Sequence, residues 1–335
     1  MKKILYLALA AAAFTSCSQD ESIEMVEKTP IAFNNVFVDN TTRAADLTNA
    51  TLEDFGVYGS VEANETKGLI FNNTKVYKSG TAFKYDNIQY WIANAQYYFT
   101  AIAPYSNAKW SYTLTDAADA QTGTISFNNE TAGANQDLLF AYTKPNKTAE
   151  SITEQPSAVG FTFSHLLSRV RFVFENGFAS TSNITLKVTE VKITNAHKQG
   201  TIAVTDGVVT DKWTVTDNTL TVDFKNALES GEGADHIFAS SEKVPTEHFY
   251  LIPNGTETAY NVTFKVALYQ AGVLIDTYDR TATANIALNK GISYNINAKL
   301  THENVSDTQL FPIEFVVNPM NDWQDFTDEN ATVNK

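Results

Sequence analysis

The sequence predicts an all-β protein folded as two β-sandwiches. Three observations carry this expectation. Apolar runs are short and follow one another at strand-like spacing. Turn formers punctuate them, as at Asn72-Asn73 and Asn128-Asn129. Aromatic residues make up 12% of the chain, which suits strands, and no helical pattern intervenes between the runs. Strands in unbroken succession favour sandwiches over a parallel α/β sheet.

The first element is not part of that fold. Lys2 and Lys3 precede an uninterrupted apolar run over residues 4–13. A membrane-spanning helix needs about 20 such residues. The run is therefore read as the core of a secretory signal peptide covering residues 1–16. It ends in Phe14-Thr15-Ser16-Cys17, which resembles the lipobox of bacterial lipoproteins. That resemblance implies that Cys17 becomes the new N-terminus and carries acyl chains. Several chains are needed for firm anchoring, because each buried methylene contributes about 0.8 kcal/mol. Cys17 is the single cysteine, so no intramolecular disulfide can form. Residues 17–30 read as an acidic tether. Its start, Ser18-Gln19-Asp20-Glu21, resembles the signal that sends Bacteroidetes lipoproteins to the outer face of the outer membrane.

Strands are expected at 31–38, 55–61, 69–77, 83–91, 97–105, 110–115, 124–128 and 138–142, giving an N-terminal sandwich over 31–143. Residues 144–158 contain Pro145 and Pro156 and almost nothing apolar, and are expected to link the two domains. A C-terminal sandwich over 159–335 is expected from runs at 159–174, 184–193, 201–204, 213–215, 220–224, 249–252, 260–269, 273–278, 292–300 and 311–317.

Composition narrows the function. The formal net charge is −14, which repels phosphate backbones and argues against nucleic-acid partners. The five histidines are His165, His197, His236, His248 and His302, and no two stand three or four residues apart. His165 lies in an apolar run and reads as a hydrogen-bonded core residue. No metal, cofactor or catalytic residue is expected: there is no HExxH, GxSxG, phosphate-binding loop or dinucleotide fingerprint. Trp91, Trp110, Trp213 and Trp323 are candidates for stacking on sugars, although core positions suit them better.

Several stretches together resemble the fimbrillin family of Bacteroidetes, in its minor-fimbrium (Mfa-like) branch. They are Asn40-Thr41-Thr42-Arg43-Ala44-Ala45, the run Asp137-Leu138-Leu139-Phe140-Ala141-Tyr142, the segment from Phe161 to Val170, Phe249-Tyr250-Leu251-Ile252-Pro253, and Ile292-Ser293-Tyr294-Asn295-Ile296. The segment from Asn318 to Trp323 matches the family's ending only in part. The resemblance implies two transthyretin-like sandwiches and no enzymatic activity. It also implies lipoprotein export, cleavage after an arginine and polymerisation with other fimbrillin subunits by strand exchange. Its partners would be an Arg-specific protease, the outer membrane and a receptor on a host or bacterial surface.

The residues accommodate this route. Arginine occurs at 43, 169, 171 and 280 only, and Arg43 alone lies in a polar, loop-like stretch, so Arg43-Ala44 is the expected cleavage site. Losing 31–38, with Ile31, Phe33 and Phe37 on one parity, would uncover an apolar groove and an open sheet edge. Near the other end Phe311, Ile313, Phe315 and Val317 alternate with Pro312, Glu314 and Val316. That is a one-sided strand suited to donation, with Pro312 fit for an edge. Burying its four apolar side chains is worth roughly 6–12 kcal/mol before ordering costs. A glycan-binding surface lipoprotein of a polysaccharide-uptake system is the competing expectation. It would need neither the cleavage nor the donor strand.

Overall fold

The computed structural model describes residues 29–38, 50–105, 109–129, 135–149, 156–225, 237–307 and 311–320. Cys17, Arg43 and Ala44 lie outside them, as do the signal peptide and most of the tether. The described residues are nearly all β. In chain order they form β1 (Phe33–Val38), β2 (Asp54–Ala63), β3 (Thr66–Ser79), β4 (Ala82–Lys84), β5 (Gln96–Ala103), β6 (Trp110–Leu114) and β7 (Gly123–Asn128). Next come β8 (Leu139–Thr143), β9 (Val159–His165), β10 (Ser168–Asn176), β11 (Ile184–Ala196), β12 (Gln199–Thr205), β13 (Val208–Val209) and β14 (Thr214–Asp217). The last are β15 (Leu220–Phe224), β16 (Lys243–Pro245), β17 (Phe249–Leu251), β18 (Glu257–Gln270), β19 (Val273–Ala287), β20 (Ser293–Leu300) and β21 (Phe315–Met320). One helical turn, α1 (His302–Val305), precedes β21.

A seven-stranded sheet of order β1-β9-β8-β5-β2-β3-β4 faces a second sheet of order β13-β12-β7-β6, to which β14 is added beside β12. Tyr58, Ile102 and Phe140 from the first meet Trp110, Ile125, Phe127, Ile202 and Trp213 from the second. The other face of the seven-stranded sheet is covered too, with Phe55, Val57, Phe99, Ala101 and Phe163 in a separate core. Burial on both faces explains why β2 and β5 read as nearly continuous apolar runs rather than as alternation. The remaining strands form sheets of order β16-β10-β20-β21 and β15-β11-β18-β19, which enclose a third core around Phe172, Phe174, Val262 and Phe264.

The chain does not divide between these sandwiches at 144–158. β9, expected to open the C-terminal domain, pairs with β1 and β8, while β12 pairs with β7. The polar stretch before β9 joins two neighbouring strands of one sheet. Its lack of apolar residues does not mark a change of domain. The crossing comes later, at Leu166 and Leu167, where the expected single run 159–174 splits into β9 and β10 in different sheets. The expected strand at 83–91 also shortens to β4. Asn87, with φ of 57°, turns the chain there, and the following residues run extended with one bridge, Pro30 to Tyr90.

Arg169 and Arg171 project from β10 on the face opposite the third core. Arg169 Nε donates to Ser293 Oγ at 3.2 Å and Arg171 Nε to Asn295 Oδ1 at 2.8 Å. His248 lies near them. Burial first, then the charges of Arg169 and Arg171, push its pKa down to about 2. The unfolded chain protonates this histidine below about pH 6.5, whereas the folded chain keeps it neutral. Its contribution is therefore complete above pH 6.5 and is lost as pH falls, by up to about 1.4 kcal/mol per unit. Between pH 6.5 and 4.5, His248→Gln is expected to lose about 2 kcal/mol less stability than the parent in urea unfolding. Equal losses would mean that the folded protein takes up the proton.

Candidate functional site

β1 is the outermost strand of the seven-stranded sheet and runs parallel to β9. Phe33 stands opposite Val159, Val36 opposite Phe161, Phe37 opposite Thr162 and Val38 opposite Phe163. Three residues of β1 thus span what two span on β9. The extra residue is accommodated at Asn35, whose φ of 51° is left-handed. Gly160 leaves room for this bulge, since a Cβ there would lie 3.3 Å from the Asn35 carbonyl oxygen. The bulge reverses the parity expected from alternation. Phe37 faces solvent at 53% exposure, and Val38 takes the buried position instead.

The residues before β1 pair elsewhere. Ile31 N donates to Gln89 O at 2.8 Å, and Trp91 N donates to Thr29 O at 2.9 Å. Tyr85 Oη donates to Ile31 O at 2.7 Å. The segment from Thr29 to Val38 is therefore held by two short ladders, one to residues 89–91 and one to β9. Its side chains do most of the anchoring. Ile31, Phe33 and Val38 are buried. The Phe33 ring packs against four others, Phe71 at 5.5 Å, Tyr85 at 5.4 Å, Phe99 at 6.0 Å and Phe161 at 5.9 Å between centroids. At roughly 1.5–3 kcal/mol each, three such side chains stabilise the docked segment by about 5–9 kcal/mol before ordering costs. Tyr85, Trp91 and Phe99, which line this site, fall in the expected strands 83–91 and 97–105, but periodicity does not say which partner each will meet. The density of rings between Phe83 and Phe99 is the signal that marks them.

At the other end β21 is also an edge strand, antiparallel to β20, with Phe315 opposite Ala298 and Val317 opposite Ile296. It begins later than expected and reaches Met320. The β20 residues 293–298 supply partners only for 315–320. Ile313 is buried in the third core, and Phe315 and Val317 pack half-buried on it, Phe315 lying 5.5 Å from the Phe172 ring. Phe311 does not join them and is 58% exposed. Pro319 sits in β21 itself, where the missing N–H is tolerated at a sheet edge.

Other candidates lead away from chemistry. His165 is buried with Nδ1 2.6 Å from Asp137 Oδ2, as a hydrogen-bonded core histidine. No group of three or more metal-binding side chains is found among the described residues. Trp91, Trp110 and Trp213 are buried, as core positions suit them. Trp323 lies outside the described residues.

Known proteins fit this architecture. No curated protein matches the chain. Among solved structures, a candidate cell adhesion protein from Bacteroides ovatus superposes with a TM-score of 0.51 at 19% identity, over 90% of this chain and 99% of that one. A candidate cell adhesion protein from Parabacteroides distasonis gives 0.50 at 12% identity, over the same shares. At these identities the likeness is one of fold. The family model described as fimbrillin-like matches residues 42–319. With most of its length matched, this chain belongs to the fimbrillin-like family.

Proposed function

We propose that this protein is a structural or tip subunit of a bacterial surface fimbrium that supports adhesion and assembles by β-strand exchange. It is exported as a lipoprotein anchored to the outer membrane through Cys17. An Arg-specific protease cuts between Arg43 and Ala44, and β1 departs. The C-terminal strand of another subunit, carrying Phe311, Ile313, Phe315 and Val317, takes its place. Its role is mechanical, with no catalytic step. A receptor on a host or bacterial surface is the expected target.

One observation carries this reading. The strand lying just upstream of Arg43 is a short edge strand that plugs an aromatic-lined groove, so cutting there would open an acceptor. An uncovered edge with an apolar floor is a template for another strand. A head-to-tail contact of this kind does not close and so grows a filament. Burial of Trp91, Trp110 and Trp213 weighs against the glycan-binding alternative.

Size analysis before and after an Arg-specific protease tests the proposal. The cleaved parent is expected to run as multiples of the subunit. A chain with both Ile313→Asp and Phe315→Asp should be cut equally well and fail to donate, because insertion would bury two unpaired charges. It should still accept a parental donor and so cap growing chains, which separates lost donation from general misfolding. A cleaved parent that remains monomeric both alone and with other fimbrial subunits added would refute strand exchange.

A further inference from the structure

The sheet of β6, β7, β12 and β14 turns alternate residues inward and outward. Trp110, Tyr112, Ile125, Phe127, Ile202 and Trp213 face its core. The outward residues form rows across the strands. Ser111 stands opposite Ser126, Ser126 opposite Thr201, and Thr201 opposite Thr214. In the next row one way Thr113 stands opposite Thr124, and in the next row the other way Asn128 stands opposite Gln199. A trough of about 340 Å³ lies on this face, lined by Ser111, Ser126, Asn128, Gln199, Thr201 and Thr216 together with Lys109. Among the described residues, nothing bonds to the Ser111, Ser126, Thr201 or Thr216 hydroxyls. In a chain with 38 Asp and Glu, no carboxylate lines the trough. The one beside it in register, Asp217 opposite Gln199, accepts from Thr219 and lies 3.9 Å from the Lys198 ammonium. A face that only meets solvent looks different in this protein. The outer side of the sheet β15-β11-β18-β19 carries Lys192, Asp223, Lys265 and Asp279.

We infer that this trough is a binding site for a neutral saccharide displayed on the surface to which the protein adheres. The inference rests on the adhesion reading and supplies the class of receptor, and it needs neither cleavage nor strand exchange. It describes attachment to a sugar-coated surface, not capture of a polysaccharide for uptake. The chemistry matches group by group. A sugar hydroxyl both donates and accepts, as do the serine and threonine hydroxyls and the Asn128 and Gln199 carboxamides. Threonine methyls offer apolar contact to the C–H groups of a sugar ring. The volume falls within the range of about 300–1,000 Å³ usual for small-ligand sites. Stacking has no part in it, because Trp91, Trp110 and Trp213 are buried. A neutral ligand suits the charge. The chain carries a net −14, which repels acidic glycans. Lys109, the one cation at the trough, is enclosed at 5% exposure, and burial pushes its pKa down. Its ammonium therefore acts at short range, as a donor to a sugar oxygen. A single site of this kind is weak, and many copies on one filament raise its hold by avidity.

Retention on saccharide-coated beads tests the site. The probes are neutral trisaccharides of glucose, galactose, mannose and xylose, with trigalacturonic acid as the acidic comparison. At least one neutral probe is expected to retain the purified protein, and more strongly than trigalacturonic acid does. Thr201→Tyr fills the middle of the trough and should lower retention at least tenfold. Thr201→Val keeps the shape, removes one hydroxyl and should lower it about two- to tenfold. Thr283→Tyr, on the exposed outer side of β19, should leave it unchanged. Equal urea unfolding midpoints for the parent and the variants separate a blocked site from a damaged fold. Retention by trigalacturonic acid as strong as by any neutral probe would overturn the neutral class. Equal retention of the parent and Thr201→Tyr would overturn the site. A parent that binds intact host or bacterial cells but none of the probes would overturn the inference and leave the adhesion reading standing. A parent that binds neither probes nor cells would overturn both.

Discussion

A chain carrying Arg43→Ala is expected to stay monomeric after digestion with an Arg-specific protease, under conditions that convert the parent into polymer. The other arginines should survive digestion. Arg169 and Arg171 are buried in β10, and Arg280 lies in β19 with its guanidinium bonded to the Val305 carbonyl. A protease needs extended, accessible backbone, which a paired strand does not offer. With its connection intact, β1 competes for the groove as an intramolecular ligand. Its effective concentration is on the order of millimolar, while free subunits at micromolar concentration bring their donors about a thousand times more dilute. Even if β1 and β21 bound the groove equally well, the uncut chain would refuse donors by about a thousandfold. Cutting removes that advantage because β1 can then diffuse away. Filaments containing Arg43→Ala protein as often as parental protein would show that the groove opens by another route.

Much of this is legible in the sequence alone. Alternation over 311–317 predicted a one-sided strand, and the succession of short apolar runs without helical periodicity predicted the class. Strand partners were not legible. Hydrogen-bonded neighbours such as β7 and β12 are separated by some seventy residues, and nothing local states that Gln199 will lie beside Asn128. The bulge at Asn35 was likewise hidden, since an asparagine in the left-handed region looks like any turn former until the partner strand is known. Parity arguments therefore placed Phe37 inside, and its exposure corrects them. The donor set shows the same limit. Ile313, Phe315 and Val317 share a face on the C-terminal core as their alternation required, but Phe311 stands beyond the reach of β20 and finds no core.

Phe33→Ala is expected to make the uncut chain receptive. Removing this ring leaves a cavity bounded by Phe71, Tyr85, Phe99 and Phe161, a change that typically costs about 3–5 kcal/mol. Most of that cost falls on the docking of β1, because the other four rings remain supported by their own strands. A loss of 3–5 kcal/mol lowers the docking equilibrium by about two to three and a half orders of magnitude. That is close to the thousandfold advantage that tethering gives β1 over a free donor. Uncut Phe33→Ala protein should therefore form oligomers that increase with concentration, without any protease. The Val159 amide, which donates to Ala32 O at 2.7 Å when β1 is docked, should exchange with solvent faster than in the parent. Phe37→Ala removes a ring that is mostly exposed and should change neither behaviour. If Phe33→Ala stays monomeric at every concentration tested and its Val159 amide remains as protected as in the parent, β1 is not what holds the groove closed.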